Sequence, residues 1–516
     1  MKLESFVGGR WISGAGQARA LVNPVTGETI AEADSAGLDL AAAMDFARDK
    51  GGAALRAMTF AERGALLKAV ADVLTANRPR YETIARLNSG NTKVDAAIDI
   101  DGAIATLRHY ARIGQTLGQT TTIFEPGQDQ LAKEPVFFAR HLWTTRPGVA
   151  AQINAFNFPS WGMWEKIATA TIAGAPSMAK PATATALLAH DMMRDVIAAG
   201  VAPAGVFSIV CGAGEGLLET LGAQDSVAFT GSAATGLTIR SHPNVLASGA
   251  RVTIEADSVN ATILGADVAP GGALFDLAVR EVVKALTVKA GQLCTNIRRV
   301  IAPRETASAL ADAVLASLSG MKVGDPADES VRVGPLVNTR QQNDALDGIA
   351  RLKSEARALT GGAAPEGLAG AFVAPTLLMA DDPALGRAIH EIEVFGPCAT
   401  LMPYRDAADA IALARRGGGS LALSLFSNDR ELQSAVAAGL GPWHGRLLMV
   451  DETTGRNHTG HAIVMPHCVH GGPGRAGGGE ELGGLRGLRL HMQRSALQGS
   501  PGLFERLGAE ASEATL

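Results

Sequence analysis

Between residues 147 and 256 the chain reads PGVAAQINAF (147–156), WEKIATATIAG (164–174), APSMAK (175–180), ATALLAHDMMRDVIAAG (184–200), VFSIV (206–210), SVAFTGS (226–232) and RVTIEA (251–256). Five of these stretches hold short apolar runs of strand length. The two longer ones end at Gly174 and Gly200, as helices commonly do. Further helices are expected near 215–222 and after FTGS. Strands alternating with helices predict a parallel sheet covered on both faces, because a parallel crossover needs a helix to carry the chain back. Ligands of such sheets bind beyond the carboxyl ends of the strands. NAFNFP, KPAT, FTGS and IEAD each follow a predicted strand directly, so the chemistry is expected there.

On the N-terminal side, Phe6 to Ile12 reads as the start of a short antiparallel unit, followed by a Gly-rich turn and the turn NPVTGE. Within 60–77, Leu66, Leu67, Val70, Val73 and Leu74 make one apolar stripe of helical period. On the C-terminal side a second α/β region is expected over 260–465. Residues 471–487, GGPGRAGGGEELGGLRG, hold nine Gly in seventeen positions but also Arg475, Glu480, Glu481 and Arg486, so this reads as a shaped loop and not a linker.

Lys and Arg total 46 against 51 Asp and Glu, a net charge of −5, which supplies no basic footprint for nucleic acid. A hydrophobic fraction of 47% excludes a disordered tail protein. The four cysteines of 516 residues make no disulfide framework. The N-terminus has no apolar signal core, and the uncharged run between Asp195 and Glu215 is broken by Gly and Pro, so no membrane span is expected. The expected setting is cytoplasmic.

Cys294, in KAGQLCTNIRR, has Lys289, Arg298 and Arg299 nearby, a setting that would favour an ionised, nucleophilic thiol. Read locally, a buried small hydrophobe is the commoner fate of such a cysteine. Glu255 ends an apolar run, where desolvation would raise its pKa and suit it to general-base work; the plain alternative is a loop carboxylate. Asn157 precedes a Phe-Pro turn and could donate to an oxyanion, or simply form an Asx turn. FTGS, with Gly231, Ser232 and Gly236, could meet a phosphate at a helix start. CGAGEG (211–216) falls short of a dinucleotide fingerprint because position 217 is Leu217. His458, His461, His467, Cys468 and His470 lack the paired spacing of a zinc site, so no metal is expected.

Taken together, FVGGRWISG, NPVTGE, NFP, KPA, FTGS, the strand-end Glu, GQLCT and EVFGP resemble the aldehyde dehydrogenase superfamily, in its order and over nearly the whole chain. The resemblance implies an α/β, aldehyde dehydrogenase-like fold. It comprises a Rossmann-type parallel-sheet cofactor domain (1–122 and 146–255), an α/β catalytic domain (256–470) and a small oligomerisation arm (123–145 and 485–500). It implies Cys294 as nucleophile, Glu255 as general base, and Asn157 with the Cys294 N–H as oxyanion donors. The cofactor site it implies comprises Ile153, Phe156, Lys180, Thr183, Gly231, Ser232, Gly236, Glu393 and Phe395, with Glu393 at the nicotinamide ribose, Ser232 at the pyrophosphate and Lys180 at the adenosine ribose.

NAD-preferring members commonly carry an acid three residues after the KPA lysine. Thr183 stands there, so NADP is the expected cofactor, with NAD as the alternative. The sequence departs from the family at Glu255-Ala256-Asp257-Ser258 and in the Gly-rich segment. Both features resemble the subgroup acting on CoA-linked semialdehydes of aerobic aromatic (benzoate-type) catabolism. The expected substrate is 3,4-dehydroadipyl-CoA semialdehyde. The alternatives are 3-oxo-5,6-dehydrosuberyl-CoA semialdehyde, another semialdehyde, or no turnover at all in a silent homologue. With the chain ending at Leu516, the branch without an attached hydratase is expected. A CoA-acylating relative would lack Glu255, and a cysteine hydrolase would need a His partner that the sequence does not single out. LRGLRLHMQ is expected to add to a neighbour's sheet edge in a homodimer.

Overall fold

The computed structural model describes residues 1–516. Its first large sheet runs in the order Arg251–Glu255, Ser226–Thr230, Ala150–Ile153, Ser177–Lys180, Phe207–Ile209, Ser5–Val7, Arg10–Ile12. The first five strands are parallel and the last two antiparallel. The strands are buried on both faces, as the uninterrupted apolar runs require. Helices Trp161–Ala173 and Ala186–Ala198 make the crossovers. Register aligns Ile254, Phe229, Ile153 and Lys180 in one row across the sheet, with Glu255 beside Thr230 one step beyond.

Two sequence expectations are corrected here. The stretch 215–222 makes only a 3-10 turn, Leu218–Thr220, because Gly214 and Gly216 take positive φ and the next strand starts at Ser226. Phe6 to Ile12 is two strands folded back at Gly8 and Gly9, both at positive φ.

The second large sheet orders Ala356–Thr360, Thr376–Ala380, Cys398–Tyr404, Arg299–Pro303, Ala261–Leu264, Ser420–Phe426 and His444–Val450, all parallel except the first strand. Helices Phe60–Ser89 and Lys93–Leu117 pack together, each opened by a capping box, at Thr59/Glu62 and Thr92/Asp95. No helix is long and apolar enough to cross a membrane.

The Gly-rich segment is a hairpin of Val469–Gly471 and Glu480–Leu482. It lies across the end of strand Arg251–Glu255, where Ala256 N–H donates to Ala476 O at 3.0 Å and Gly479 N–H to Ile254 O at 3.2 Å. At Gly477 (φ 105°) an added Cβ would overlap the Ile254 carbonyl, so this crossing excludes a side chain. Only the last two residues of LRGLRLHMQ, Met492 and Gln493, are strand. Gly484–Leu488 is a 3-10 turn, and strand Met492–Gly499 pairs antiparallel with Phe138–Thr145 of its own chain.

Candidate active site

Where the two sheets meet, a cavity of about 250 Å³ is lined by Asn157, Glu165, Glu255, Cys294 and His470, with Val94, Ile98 and Val288 further along its wall. One ligand atom each from Glu255, Cys294 and His470 lies within 4.8 Å of the other two. The nucleophile segment reaches this point through a strained step: Lys289 and Ala290 both adopt φ 48°, which non-glycine residues rarely do. It is held from several sides. Lys289 N–H donates to Asp95 Oδ1 at 2.8 Å, and its buried ammonium lies 3.3 Å from Asn91 Oδ1 and 4.7 Å from the centre of the Phe158 ring.

Four successive carbonyls of that segment accept side-chain donors. Arg298 donates to Gly291 O at 3.0 Å and Leu293 O at 3.2 Å, Asn157 to Gln292 O at 3.0 Å, and Asn260 to Cys294 O at 2.9 Å. With its carbonyls turned to these partners, the Cys294 N–H is left without a protein acceptor. Asn157 retains its second amide N–H. Both are donors of the kind an oxyanion needs.

The electrostatics differ from the sequence expectation in two respects. The cations around Cys294 do not face its sulfur. Lys289 turns to Asn91, and Arg298 to Glu393 at 3.7 Å, while Arg299 is buried against Val259 O and Leu413 O. Burial and the neighbouring Glu255 carboxylate therefore push the thiol well above its ordinary pKa, so it rests protonated. Glu255 is not raised by desolvation. Burial does oppose its charge, but His470 at 2.8 Å and Lys166 outweigh it and hold the carboxyl at about 2. His470 is correspondingly raised.

Behind this pair sits a second buried one, Lys166 with Glu481 at 2.9 Å. Glu165, 3.5 Å from Lys166, is pushed by burial to about 7. None of His470, Glu165, Lys166 and Glu481 was assigned a role from sequence. One signal was present: Glu165 and Lys166 are the only charges in helix Trp161–Ala173, and a charged doublet inside an apolar helix marks buried ionisation. Of the His/Cys run, only His470 joins the cavity's acid and thiol. His461 bonds Ser424 Oγ at 2.8 Å, and His467 packs on His109 at 4.1 Å between ring centres.

Of the residues expected at a cofactor site, Ile153 and Lys180 end their strands, Gly231 and Ser232 follow one, and Glu393 and Phe395 lie in the segment before strand Cys398–Tyr404. Ile153 and Lys180 are register partners. Phe156 O accepts Thr185 Oγ1 at 2.9 Å, and its ring lies 5.5 Å from that of Phe395. Thr183 Oγ1 donates to Gly212 O at 3.1 Å. Ser232 caps helix Ala233–Arg240, Gly231 N–H donates to Glu255 O at 3.1 Å, and Gly236 packs on Ile254. Asp257, within the departing Glu-Ala-Asp-Ser segment, accepts the Ala233 N–H at 3.1 Å. Glu393 accepts Ser258 N–H at 3.0 Å through Oε2, and burial pushes it to about 7.

This architecture and site define a class. Residues 11–483 match the aldehyde dehydrogenase family, and the chain belongs to that family: it is an aldehyde dehydrogenase. More particularly, it is 50% identical over 479 residues to 3,4-dehydroadipyl-CoA semialdehyde dehydrogenase of Aromatoleum evansii, spanning 92% of this chain and 93% of that one. Solved structures of the same fold include lactaldehyde dehydrogenase of Escherichia coli (TM-score 0.84, 21% identity, 96% of this chain and 99% of that one). Another is a point mutant of betaine aldehyde dehydrogenase of Staphylococcus aureus, in complex with NAD+ and with a BME-modified cysteine (TM-score 0.83, 23% identity, 96% of each chain).

The family uses NAD(P), and two observations on this chain fit such a dinucleotide. Lys180 is a half-buried cation without an ion-pair partner, its pKa lowered by burial. Glu393 Oε1 is buried and makes no hydrogen bond, its ion-pair partner Arg298 standing 3.7 Å away, so it can still accept from a ribose hydroxyl.

Proposed function

We propose that the protein oxidises a CoA-linked semialdehyde, of the 3,4-dehydroadipyl-CoA type, to its carboxylic acid, with NADP as hydride acceptor and Cys294 as covalent nucleophile. The observation that carries this reading is the convergence of the Cys294 thiol, the Glu255 carboxylate and the His470 ring within 4.8 Å in one cavity walled by Asn157. The 50% identity to a CoA-semialdehyde dehydrogenase supports the substrate class.

The Cys294 sulfur attacks the aldehyde carbon as its proton passes to Glu255, giving a thiohemiacetal whose oxyanion is held by Asn157 and the Cys294 N–H. When bound, the nicotinamide supplies the acceptor for the hydride that leaves this carbon. Residues Ile153, Phe156, Lys180, Thr183, Gly231, Ser232, Gly236, Glu393 and Phe395 would hold the dinucleotide. Thr183 in place of an acid leaves nothing to repel a 2′-phosphate, and Lys180 adds positive charge; both favour NADP. Once Glu255 has released the first proton to solvent, water attacks the thioester left on Cys294 as its proton passes to Glu255, which returns it to the departing sulfur, releasing the acid and regenerating the thiol. Glu255 also argues against CoA acylation, in which free CoA would replace water.

The test is NADPH formation with the CoA-linked semialdehyde against the free semialdehyde, with NAD in parallel. The CoA thioester should be preferred, with no free CoA consumed. Faster saturated turnover with NAD than with NADP would remove the cofactor assignment. A protein that binds NADP but turns over no aldehyde would be a silent homologue.

A further inference from the structure

Two clefts open to the surface, of about 700 and 720 Å³, adjoin the wall of the cavity that holds Cys294. Val94, in the first turn of helix Lys93–Leu117 and 63% exposed, lines all three. Val288 is shared with the first of these neighbours and Ile98 with the second, so the Cys294 cavity meets them at an apolar neck.

Beyond the neck the surface changes character. Arg86, Lys93 and Arg332 are exposed there, and none makes an ion pair; Arg332 donates only to the carbonyls of Glu329 and Val331. The nearby acids are mostly committed. Glu82 and Asp101 pair with Arg78 at 2.7 and 2.6 Å, Asp328 pairs with Lys322, and Asp95 is buried under Thr92 and Lys289. Glu329 is uncommitted, and Glu82 and Asp101 share the single Arg78, so the three free cations outnumber the uncompensated acids only narrowly. Lys180, Ser232 and Glu393 line neither cleft, which separates this surface from the dinucleotide site.

We infer that these two clefts form a subsite for the 3′-phospho-ADP end of the CoA substrate, with Arg86, Lys93 and Arg332 facing its phosphates and Val94, Ile98 and Val288 lining the passage of its pantetheine arm. The inference rests on the CoA-linked reading of the substrate and gives it a place. An aldehyde carbon at Cys294 forces the thioester end of the molecule outward. The pantetheine arm is uncharged and suits an apolar neck, whereas the nucleotide end carries several negative charges, for which guanidinium groups are the favoured partners.

The test compares the CoA-linked semialdehyde with its N-acetylcysteamine thioester, which keeps the acyl chain and lacks the nucleotide, on the NADP-saturated enzyme. The readout is the ratio of kcat/KM for the two substrates. In the unaltered protein the ratio should exceed about tenfold. Arg86→Gln with Arg332→Gln should collapse it through KM at unchanged kcat, and Lys93→Gln should lower it further. Adenosine 3′,5′-bisphosphate should compete with the CoA substrate in the unaltered protein and lose potency in the variants. All three side chains are exposed, so melting temperatures should hold and certify folding. A ratio near one in the unaltered protein would overturn the CoA-linked reading itself. A high ratio that survives the substitutions would leave that reading standing and overturn this subsite.

Discussion

Glu255 and His470 form a pair whose resting state withholds the base. With His470 protonated 2.8 Å away, the carboxylate is held at about 2 and is a weak proton acceptor. Deprotonating His470 restores its basicity, so kcat/KM should rise with pH through the raised His470 pKa. His470→Gln should move this acid limb to lower pH, and an unmoved limb would dissociate His470 from the base. Glu255→Gln removes the acceptor for both the thiol's and the water's proton, so the first turnover of NADPH should slow and steady turnover should stall; steady turnover at the parent rate would remove Glu255 from the mechanism. Glu393 yields a stability prediction. Burial raises it from 4.5 to about 7, so the folded chain holds this proton longer than the unfolded chain, and stability falls as pH rises through that window and is level above it. Glu393→Gln removes that loss. In the cofactor-free enzyme its melting temperature should exceed the parent's at pH 8 by more than at pH 5, the differential being at most roughly 3 kcal/mol.

At the level of elements, local signals were legible and crossings were not. The strand ends carrying Asn157, Lys180, Ser232 and Glu255 could be read because apolar runs and their glycine stops are local patterns. His470 could not, because its partner Glu255 lies on another sheet strand and is reached only when the Gly-rich hairpin crosses over it. The ionisation of Cys294 and Glu255 is not legible locally for the same reason: neighbours in sequence, such as Lys289 and Arg299, point elsewhere, and the deciding charges come from distant segments. The hairpin itself can be tested. Gly478 has φ 73° and open space around it, so Gly478→Ala should cost only the left-handed penalty of about 1–2 kcal/mol. At Gly477 a Cβ meets the Ile254 carbonyl, so Gly477→Ala should cost more and also lower kcat, by lifting His470 away from Glu255. Equal melting temperatures and equal kcat for the two variants would mean that the crossing does not position His470.

For the whole molecule, the exposed sheet edge carries the assembly prediction. Strand Met492–Gly499 pairs with Phe138–Thr145 on one side and has no partner strand on the other. Its middle residues, Gln493, Arg494, Ser495 and Ala496, are exposed and mostly polar, so side-chain burial alone would not drive association. The attraction of such an edge lies in its unpaired main-chain groups, and a second copy can satisfy them by strand addition. We expect a homodimer built on this edge. Successive N–H groups of a strand point to opposite sides, so adjacent prolines discriminate sharply. Of Ser495→Pro and Ala496→Pro, the one removing an inward N–H should break pairing with Phe138–Thr145 and lower the melting temperature. The one removing an outward N–H should leave the chain folded and halve the mass seen by light scattering. A parent protein that is monomeric, or a dimer mass that survives both substitutions, would exclude this edge as the interface.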